Sequence, residues 1–424
     1  MKLVEIPKNK YDDYRLDVIF NGYKWDPQFL DNNTIAKHVL VISEEEHEEL
    51  VYLVDKLAKE TIQAEQVINE NQKLAKKLLL PKKLRGEIKR METYNPDRHI
   101  RLMRYDFHPL VDGGWAISEV NSDVPGGFAE SSLMPKIALD VLENEEYTYK
   151  SFGDELINAI VEKVDSKGRI MFVHCTSYSD DRQVMQFLGD RLSKQGYESI
   201  YCAADHINFT NNEAISILDG NEGKIDAIVR FTPLEWIVDI KPKRWEGYFD
   251  TTTISCNHPI AIYTQSKRFP LIWDKLETLG VKLDTWRKLL PETVEVKFGK
   301  KRVGFIYKPV WGRVGEGITI KEACKDDEYK KIMLETKLFP KRYIYQKKFN
   351  SRPLDGNDGN SYHVCLGAYN VNGKAAGYYA RMSKTPRIDS NAADIPVLIE
   401  RKKKWWTKKY SRFGLQQMQS GLTG

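Results

Sequence analysis

Cysteine is scarce in this sequence: Cys175, Cys202, Cys256, Cys324 and Cys365 are all there are in 424 residues. They are scattered, odd in number and never spaced as CxxC. That excludes a disulfide scaffold and a zinc ribbon, and points to a reducing, cytoplasmic location. Long apolar runs are missing as well. None approaches the ~18–20 residues of a membrane span, and Met1-Lys2-Leu3-Val4-Glu5-Ile6-Pro7 offers no stretch for a signal peptide. No membrane partner is expected. Charge of one sign is not in large excess: 65 basic against 60 acidic residues leave +5. On a chain this long that balance does not call for nucleic acid. There is no GxSxG elbow and no HExxH helix, and the eight histidines form no metal-ligand pattern.

What is present is enough for a large core. The chain is 41% hydrophobic and 11% aromatic, which excludes a mainly disordered polymer, and its length suits roughly three domain-sized units. Ser43 followed by Glu46 fits a helical capping box, and Leu50, Val51, Val54, Leu57 and Ala58 recur at helical spacing behind it. The lysine-rich stretch 73–90 is broken by Pro81 and reads as a solvated helical face, with a phosphate-binding patch as the alternative. From about 169 the pattern becomes a strand (170–173), a helix stopping at Gly196, a strand (199–202), a further helical segment and a strand (226–231). Strands alternating with helices predict a small parallel α/β unit, whose ligands would bind at the carboxyl ends of its strands. Short strands are expected at 303–308 and 341–346. The tail beyond Arg401 is basic, with Trp405, Trp406 and Tyr410 interleaved; it reads as a solvated or docked terminus, and no recognition fold accompanies it.

The segment 100–123 is the most informative. Ile100-Arg101-Leu102-Met103-Arg104-Tyr105-Asp106-Phe107 and Trp115-Ala116-Ile117-Ser118-Glu119-Val120-Asn121 read as strands flanking Asp112-Gly113-Gly114. Asp-Gly suits a two-residue type I′ turn. Taken as that turn, it sets Asp106 opposite Glu119 and Arg104 opposite Asn121. Residues two apart share a face of a strand, so these four form a compact square. Two facing carboxylates repel, by about 4 kcal/mol at ~4 Å and an effective dielectric of ~20. Arg104 can neutralise them without any ligand. The same oxygens also suit Mg²⁺, a hard cation that binds one or two carboxylates together with substrate phosphates.

Lys308-Pro309-Val310-Trp311-Gly312-Arg313-Val314-Gly315-Glu316-Gly317 ends a strand with a lysine and opens a glycine-rich loop. Glycines admit backbone N–H groups close to phosphate oxygens, and lysine adds a point charge; a plain glycine turn is the alternative. Ser266-Lys267 follows Asn257-His258-Pro259. Arg381 sits in Tyr378-Tyr379-Ala380-Arg381-Met382. His174-Cys175 reads as a buried pair at a strand end.

Together these pieces resemble the synthetase module of the glutathionylspermidine synthetase family. Tyr23-Lys24-Trp25-Asp26 resembles its N-terminal aromatic motif. Arg104-x-Asp106 with Glu119-x-Asn121-x-Asp123-x-Pro125 resembles its metal and phosphate strand pair. Thr232-Pro233-Leu234-Glu235-Trp236 resembles a segment lining its substrate cavity. The Lys267 and Lys308 segments resemble its nucleotide-binding strands, and Arg381 with Ala393-Asp394-Ile395 its closing segment. The metal carboxylates precede the nucleotide lysines, as in that family's circularly permuted order. The bifunctional members carry an amidase domain with a Cys nucleophile; with no room for one before Tyr23, only the ligase half is expected. No glutathione-recognition set stands out.

The resemblance implies an α/β fold: a circularly permuted ATP-grasp with a small parallel α/β, pre-ATP-grasp-like subdomain. Its segments would be a helical part with the metal hairpin (1–165), the parallel unit (166–255), nucleotide and lid segments (256–400) and the basic tail (401–424). It implies an ATP-dependent ligase with ATP and two Mg²⁺ ions, joining a small carboxylate to an amine, peptide or polyamine among them, through an acyl phosphate. By motif match, Asp106, Glu119 and Asn121 would hold the metal, and Arg104 and Arg381 would be catalytic. Lys267, Lys308, Gly312, Arg313, Gly315, Gly317 and Gln346, the last just after a strand, would contact ATP. Glu235 and Asp394 would hold or deprotonate the amine. Two other functions are compatible with the same residues: an ATP-grasp ligase loading a carboxylate onto a carrier-protein thiol, with the basic tail gripping an acidic carrier, and a nucleotide-binding protein that ligates nothing. A nucleic-acid binder ranks behind both.

Overall fold

The computed structural model describes residues 1–297, 302–313, 315, 317–320 and 323–402; the aromatic-basic tail, Val314 and Glu316 lie outside the described residues. Within it the hairpin is formed by Leu102–Pro109 and Trp115–Asn121, but not with the expected turn. Leu110 donates its N–H to Gly114 O (3.1 Å), and Gly113 donates to Leu110 O (3.1 Å). Three residues therefore make the loop, and the left-handed backbone falls on Gly113 (φ +88°) and Gly114 (φ +70°) rather than on Asp112. Next to the turn the register is one residue off the expectation: Phe107 faces Ile117 and His108 faces Ala116. A bulge then corrects it. Ser118 and Glu119 together stand against Asp106, and beyond them Arg104 faces Asn121 as the sequence suggested.

The hairpin forms one side of the largest sheet. The strands run Ala393–Ile395, Lys374–Ser383, Ser361–Val371, Leu102–Pro109 and Trp115–Asn121, all antiparallel, with Leu354–Asp355 added beside Ser361–Val371. Alternation divides its side chains. Tyr105, Phe107, Leu366, Ala368, Tyr378 and Ala380 lie in one core with Leu50, Val54 and Leu57 of the long helix Glu44–Glu70. That helix starts on the expected box: Ser43 Oγ accepts from the Glu46 N–H, and the Glu46 carboxylate accepts from the Ser43 N–H. Thr61 on the same helix meets the Tyr105 hydroxyl at 2.8 Å, a polar contact inside an otherwise apolar layer. The other face of the sheet carries Arg104, Asp106, Cys365, Tyr379 and Arg381.

The parallel unit is also present. Ile254–Cys256, Ala227–Arg230, Arg169–Val173 and Glu198–Cys202 lie side by side in that order and all parallel. The expected helix between its second and third strands is instead a meander, Ile207–Thr210, Glu213–Ser216 and Gly223–Lys224. Asn211, Asn212 and Gly220 supply turn chemistry, and left-handed backbone at Asn211 and Asn212 closes its first turn. A third, small sheet has Tyr343–Lys347 between Thr293–Glu295 and Phe305–Pro309. Its strands begin later than the sequence indicated: Val303 and Gly304 precede the first, with Gly304 at φ +77°, and Pro340–Arg342 is a helical turn before the second. Finally, Lys2–Glu5, His38–Ser43, Val397–Glu400 and Tyr147–Thr148 form a sheet uniting the two ends of the described chain. Among the described residues no helix is long and apolar enough to cross a membrane.

Two buried ion pairs and one amide tie the hairpin to the long helix and to the parallel sheet. Arg101 meets Glu65 at 2.6 Å. Arg230 grips Asp123, both side chains 0% exposed, and the Leu234 N–H donates to the same carboxylate at 2.9 Å. Asn257 donates to Leu102 O (2.8 Å) and Asp123 O (2.7 Å) and accepts from the Leu102 N–H (2.7 Å). The hairpin and the parallel sheet are thus pinned to each other where Asp123 leaves the strand. Removing one partner of such a pair leaves a charge in a dry interior. Asp123→Ala is expected to lower stability by about 3–5 kcal/mol in urea unfolding, and replacing Arg230 by Met in the same chain should recover much of that loss.

Candidate active site

The polar face of the large sheet forms the floor of a cavity of about 530 Å³. Arg104, Asp106, Glu119, Asn121, Lys308, Arg313, Gly315, Arg381 and Asp394, all singled out from the sequence, lie on its walls. The square forms despite the altered turn. Arg104 donates from Nε to Asp106 Oδ1 (2.8 Å) and from Nη2 to Oδ2 (3.1 Å), and the Asn121 amide donates to Oδ2 at 2.9 Å. Arg104 also donates to Gly126 O at 2.8 Å. Its side chain passes directly over Gly367, where a Cβ would stand 2.6 Å from Arg104 Cδ. Only glycine leaves that path open.

Glu119 is held by a residue far along the chain: Lys267 Nζ lies 2.8 Å from its carboxylate and donates to Gly312 O at 2.6 Å. Burial would push the Glu119 carboxyl up, but Lys267, Lys308 and Arg104 together hold it below its ordinary value. Lys308 is 3% exposed and donates to Ser118 O at 3.1 Å, a backbone atom of the bulge. Burial lowers its pKa to about 8, against the pull of Glu119. Lys267, Lys308 and Gln346 border a smaller recess of about 30 Å³, which shares Ser118 and Glu119 with the main cavity. Gln346 lies inside its strand rather than after it. Its amide donates to Thr293 Oγ1 at 3.2 Å, and its buried Oε1 has no partner.

Arg381 faces Cys365 on one side and Asp394 on the other. Its Nη2 donates to Ala392 O at 3.0 Å, and its Nε is 3.6 Å from Asp394. Asp394 is engaged by Lys24 (2.9 Å) and by the Tyr379 hydroxyl (2.6 Å). Burial opposes its charge, yet Lys24 and Arg381 keep its carboxyl low. Glu235 does not reach the cavity wall as an open carboxylate, because Arg313 holds it. Gly312 and Gly317 stand behind the wall: Gly312 through its carbonyl on Lys267, Gly317 (φ +68°) against Pro309.

Other groups of the site had no role in the sequence reading. Tyr379, two residues before Arg381 and so on the same face, carries the Arg104 guanidinium 4.9 Å above its ring. Lys24 meets three carboxylates, Asp26 and Glu130 at 3.1 Å and Asp394 at 2.9 Å. Asp180 and Asp181 line the cavity beyond them. Burial and Asp180 raise Asp181 to about 7. Burial raises Asp26 to about 6, with Glu130 adding to the rise and Lys24 opposing it. The cavity is therefore basic around Lys308 and Arg381 and acidic toward Asp26 and Asp181.

A family model described as glutathionylspermidine synthase preATP-grasp matches residues 6–400. This chain belongs to that family. Among solved structures, a glutathione synthetase-like effector from Globodera pallida is similar at 13% identity, covering 93% of this chain and 99% of its own, with a TM-score of 0.59. A putative gamma-glutamylcysteine synthetase from Methylobacillus flagellatus overlaps over 76% of this chain and 86% of its own, again at 13% identity, with a TM-score of 0.44. A search of curated proteins finds no match. The mixed α/β arrangement, with several sheets and one of them parallel, is consistent with an ATP-grasp-related ligase fold.

In this glutathionylspermidine synthase-family chain the donor set fits magnesium bound through phosphates. Asp106 and Glu119 offer carboxylate oxygens. The Asn121 amide turns its nitrogen to Asp106, which leaves its carbonyl oxygen outside that bond. No group of three or more His, Cys, Asp or Glu side chains suited to a metal occurs among the described residues. Two carboxylates and an amide are what a cation needs when water and phosphate complete its shell. A buried lysine near neutral pKa makes a pH prediction. Because folding lowers this pKa, Lys308 costs stability below about 8 and stops doing so as pH rises toward 10.5. Lys308→Met is accordingly expected to be more stable at pH 7 by on the order of 1–3 kcal/mol in urea unfolding, with the difference shrinking as pH rises toward 10.5.

Proposed function

We propose that this protein is an ATP-dependent carboxylate–amine ligase of glutathionylspermidine synthetase type. One observation carries the reading. Asp106, Glu119 and Asn121 on the hairpin and Lys267 and Lys308, far downstream, converge on one cavity and its adjoining recess. With the carboxylates preceding the lysines in the chain, the arrangement is read as a circularly permuted ATP-grasp.

In the proposed reaction a substrate carboxylate attacks the γ-phosphorus of ATP, the bond to the β–γ bridging oxygen breaks, and an acyl phosphate and ADP result. A neutral amine then attacks the acyl carbon and expels inorganic phosphate, leaving an amide after loss of the amine proton. The protein's share is positioning and charge stabilisation. Lys267 and Lys308 would draw in the phosphates. Asp106, Glu119 and Asn121 would hold the magnesium ions, which neutralise phosphate charge. Arg104, stacked on Tyr379 and crossing Gly367, is aimed to grip the transferred phosphoryl group. Arg381 would stabilise the oxyanion of the tetrahedral intermediate. The acidic end, with Asp26, Glu130, Asp180 and Asp181, suits a cationic acceptor, and a carboxylate whose pKa is near 7, such as Asp181, can accept the amine proton. Asp394, between Lys24 and Arg381, and Glu235, held behind the wall by Arg313, would assist in holding the amine.

An ADP-release assay with Mg·ATP and panels of carboxylates and amines tests the reading. Turnover should require one member of each panel. Asp106→Asn and Glu119→Gln should each lower kcat by about 10²-fold or more while circular dichroism still shows a cooperatively folded protein. Full activity in both variants would remove these residues from the mechanism.

A further inference from the structure

The Arg313–Glu235 contact joins two parts of the site that the proposed reaction uses separately. Arg313 lies on the cavity wall five residues after Lys308, in the loop expected to meet phosphates. Glu235 lies in the helical turn Leu234–Ile237, at the carboxyl end of the parallel sheet. Arg313 donates from both Nε (3.0 Å) and Nη2 (2.6 Å) to the single oxygen Oε1 of Glu235. Its guanidinium is 5.8 Å from the ring of Trp236. Glu235 is only 9% exposed along its side chain, and its second oxygen, Oε2, is buried without a partner. A buried carboxylate oxygen without a donor is costly. The arrangement therefore covers Glu235 incompletely: its side chain is mostly dry and is hydrogen-bonded through one oxygen only.

We propose that this ion pair is a latch released by nucleotide. Phosphate oxygens compete with Glu235 for Arg313, and Glu235 becomes available to an incoming ammonium group only once that exchange has occurred. The inference rests on the ligase reading above, in which Arg313 serves the nucleotide and Glu235 the acceptor. The exchange is favourable in charge, because a polyphosphate offers a guanidinium more negative charge and more acceptor oxygens than one carboxylate does. It gives the reaction an order. Acceptor binding before the nucleotide would have to break the latch unaided, and after the nucleotide it meets a carboxylate already released.

Competition for one group has a signature that does not depend on knowing the acceptor. A latched protein binds nucleotide with an affinity reduced by the fraction of molecules that are unlatched. Calorimetric titration with Mg·AMPPNP should therefore show Glu235→Gln binding about fivefold tighter than the unmodified protein. Arg313→Gln should bind more weakly, and Glu235→Gln should have no further effect in that background. Arg313→Lys serves the same cycle if Arg313→Gln does not fold, and equal melting temperatures check the comparison. Unchanged or weaker nucleotide binding by Glu235→Gln, in a protein that otherwise binds Mg·AMPPNP, overturns the latch and leaves the ligase reading standing. Absence of any Mg·AMPPNP binding by the unmodified protein overturns both.

Discussion

Two carboxylates on one face of an antiparallel hairpin repel each other, and much of the site can be understood as the response to that repulsion. Asp106 is met from its own strand by Arg104, two residues away. Glu119 is met from the far side of the cleft by Lys267, with Lys308 buried nearby. The bulge at Ser118 and Glu119 serves the same end. It turns a backbone carbonyl to Lys308 and sets Glu119 against Lys267 while Asp106 stays with Arg104. Arg104, Lys267 and Lys308 outnumber the two carboxylates at this end of the cavity, so the cluster is not self-neutralised and keeps a net positive charge.

The surplus is held in place by structure that stays polar but satisfied. Arg104 rests on Tyr379, Tyr379 donates to Asp394, and Asp394 answers Lys24 and Arg381. Each contact restrains the next, so the Arg104 guanidinium is coupled through Tyr379 and Asp394 to a lysine from the first 25 residues. The Arg230–Asp123 pair and the Asn257 amide do the same at larger scale, locking the hairpin to the parallel sheet. Lys308 is the exception. It is buried with a backbone carbonyl for a partner and its proton is loosened. Such a group is expensive to the empty fold and useful to an anion, the usual direction of a stability–activity trade-off.

Local patterns were readable where one element decides its own shape. The Ser43–Glu46 box, the helix behind it and the parallel strands at 169–202 follow from capping and hydrophobic period, and the structure has them in place. The hairpin was readable as a hairpin, but its turn was not. Asp112-Gly113-Gly114 supports a two-residue or a three-residue loop, and local chemistry does not separate them. The one-residue error this caused near the turn is cancelled by the bulge, so Arg104 still faces Asn121. The meander at 207–224 is not legible as strands, because short, half-exposed strands carry little period of either kind.

Which residue types are available, and which of them share a strand face, can be read from the chain alone: Arg104 with Asp106, Tyr379 with Arg381. Those relations depend on the geometry of a single strand, which every chain of L-residues obeys. That Lys267 lies against Glu119, that Arg313 is held by Glu235 and that Lys24 engages Asp394 emerges from the folded arrangement alone. Such contacts are chosen by the packing of distant segments and by the cost of leaving buried charges unpaired, and no local pattern encodes either.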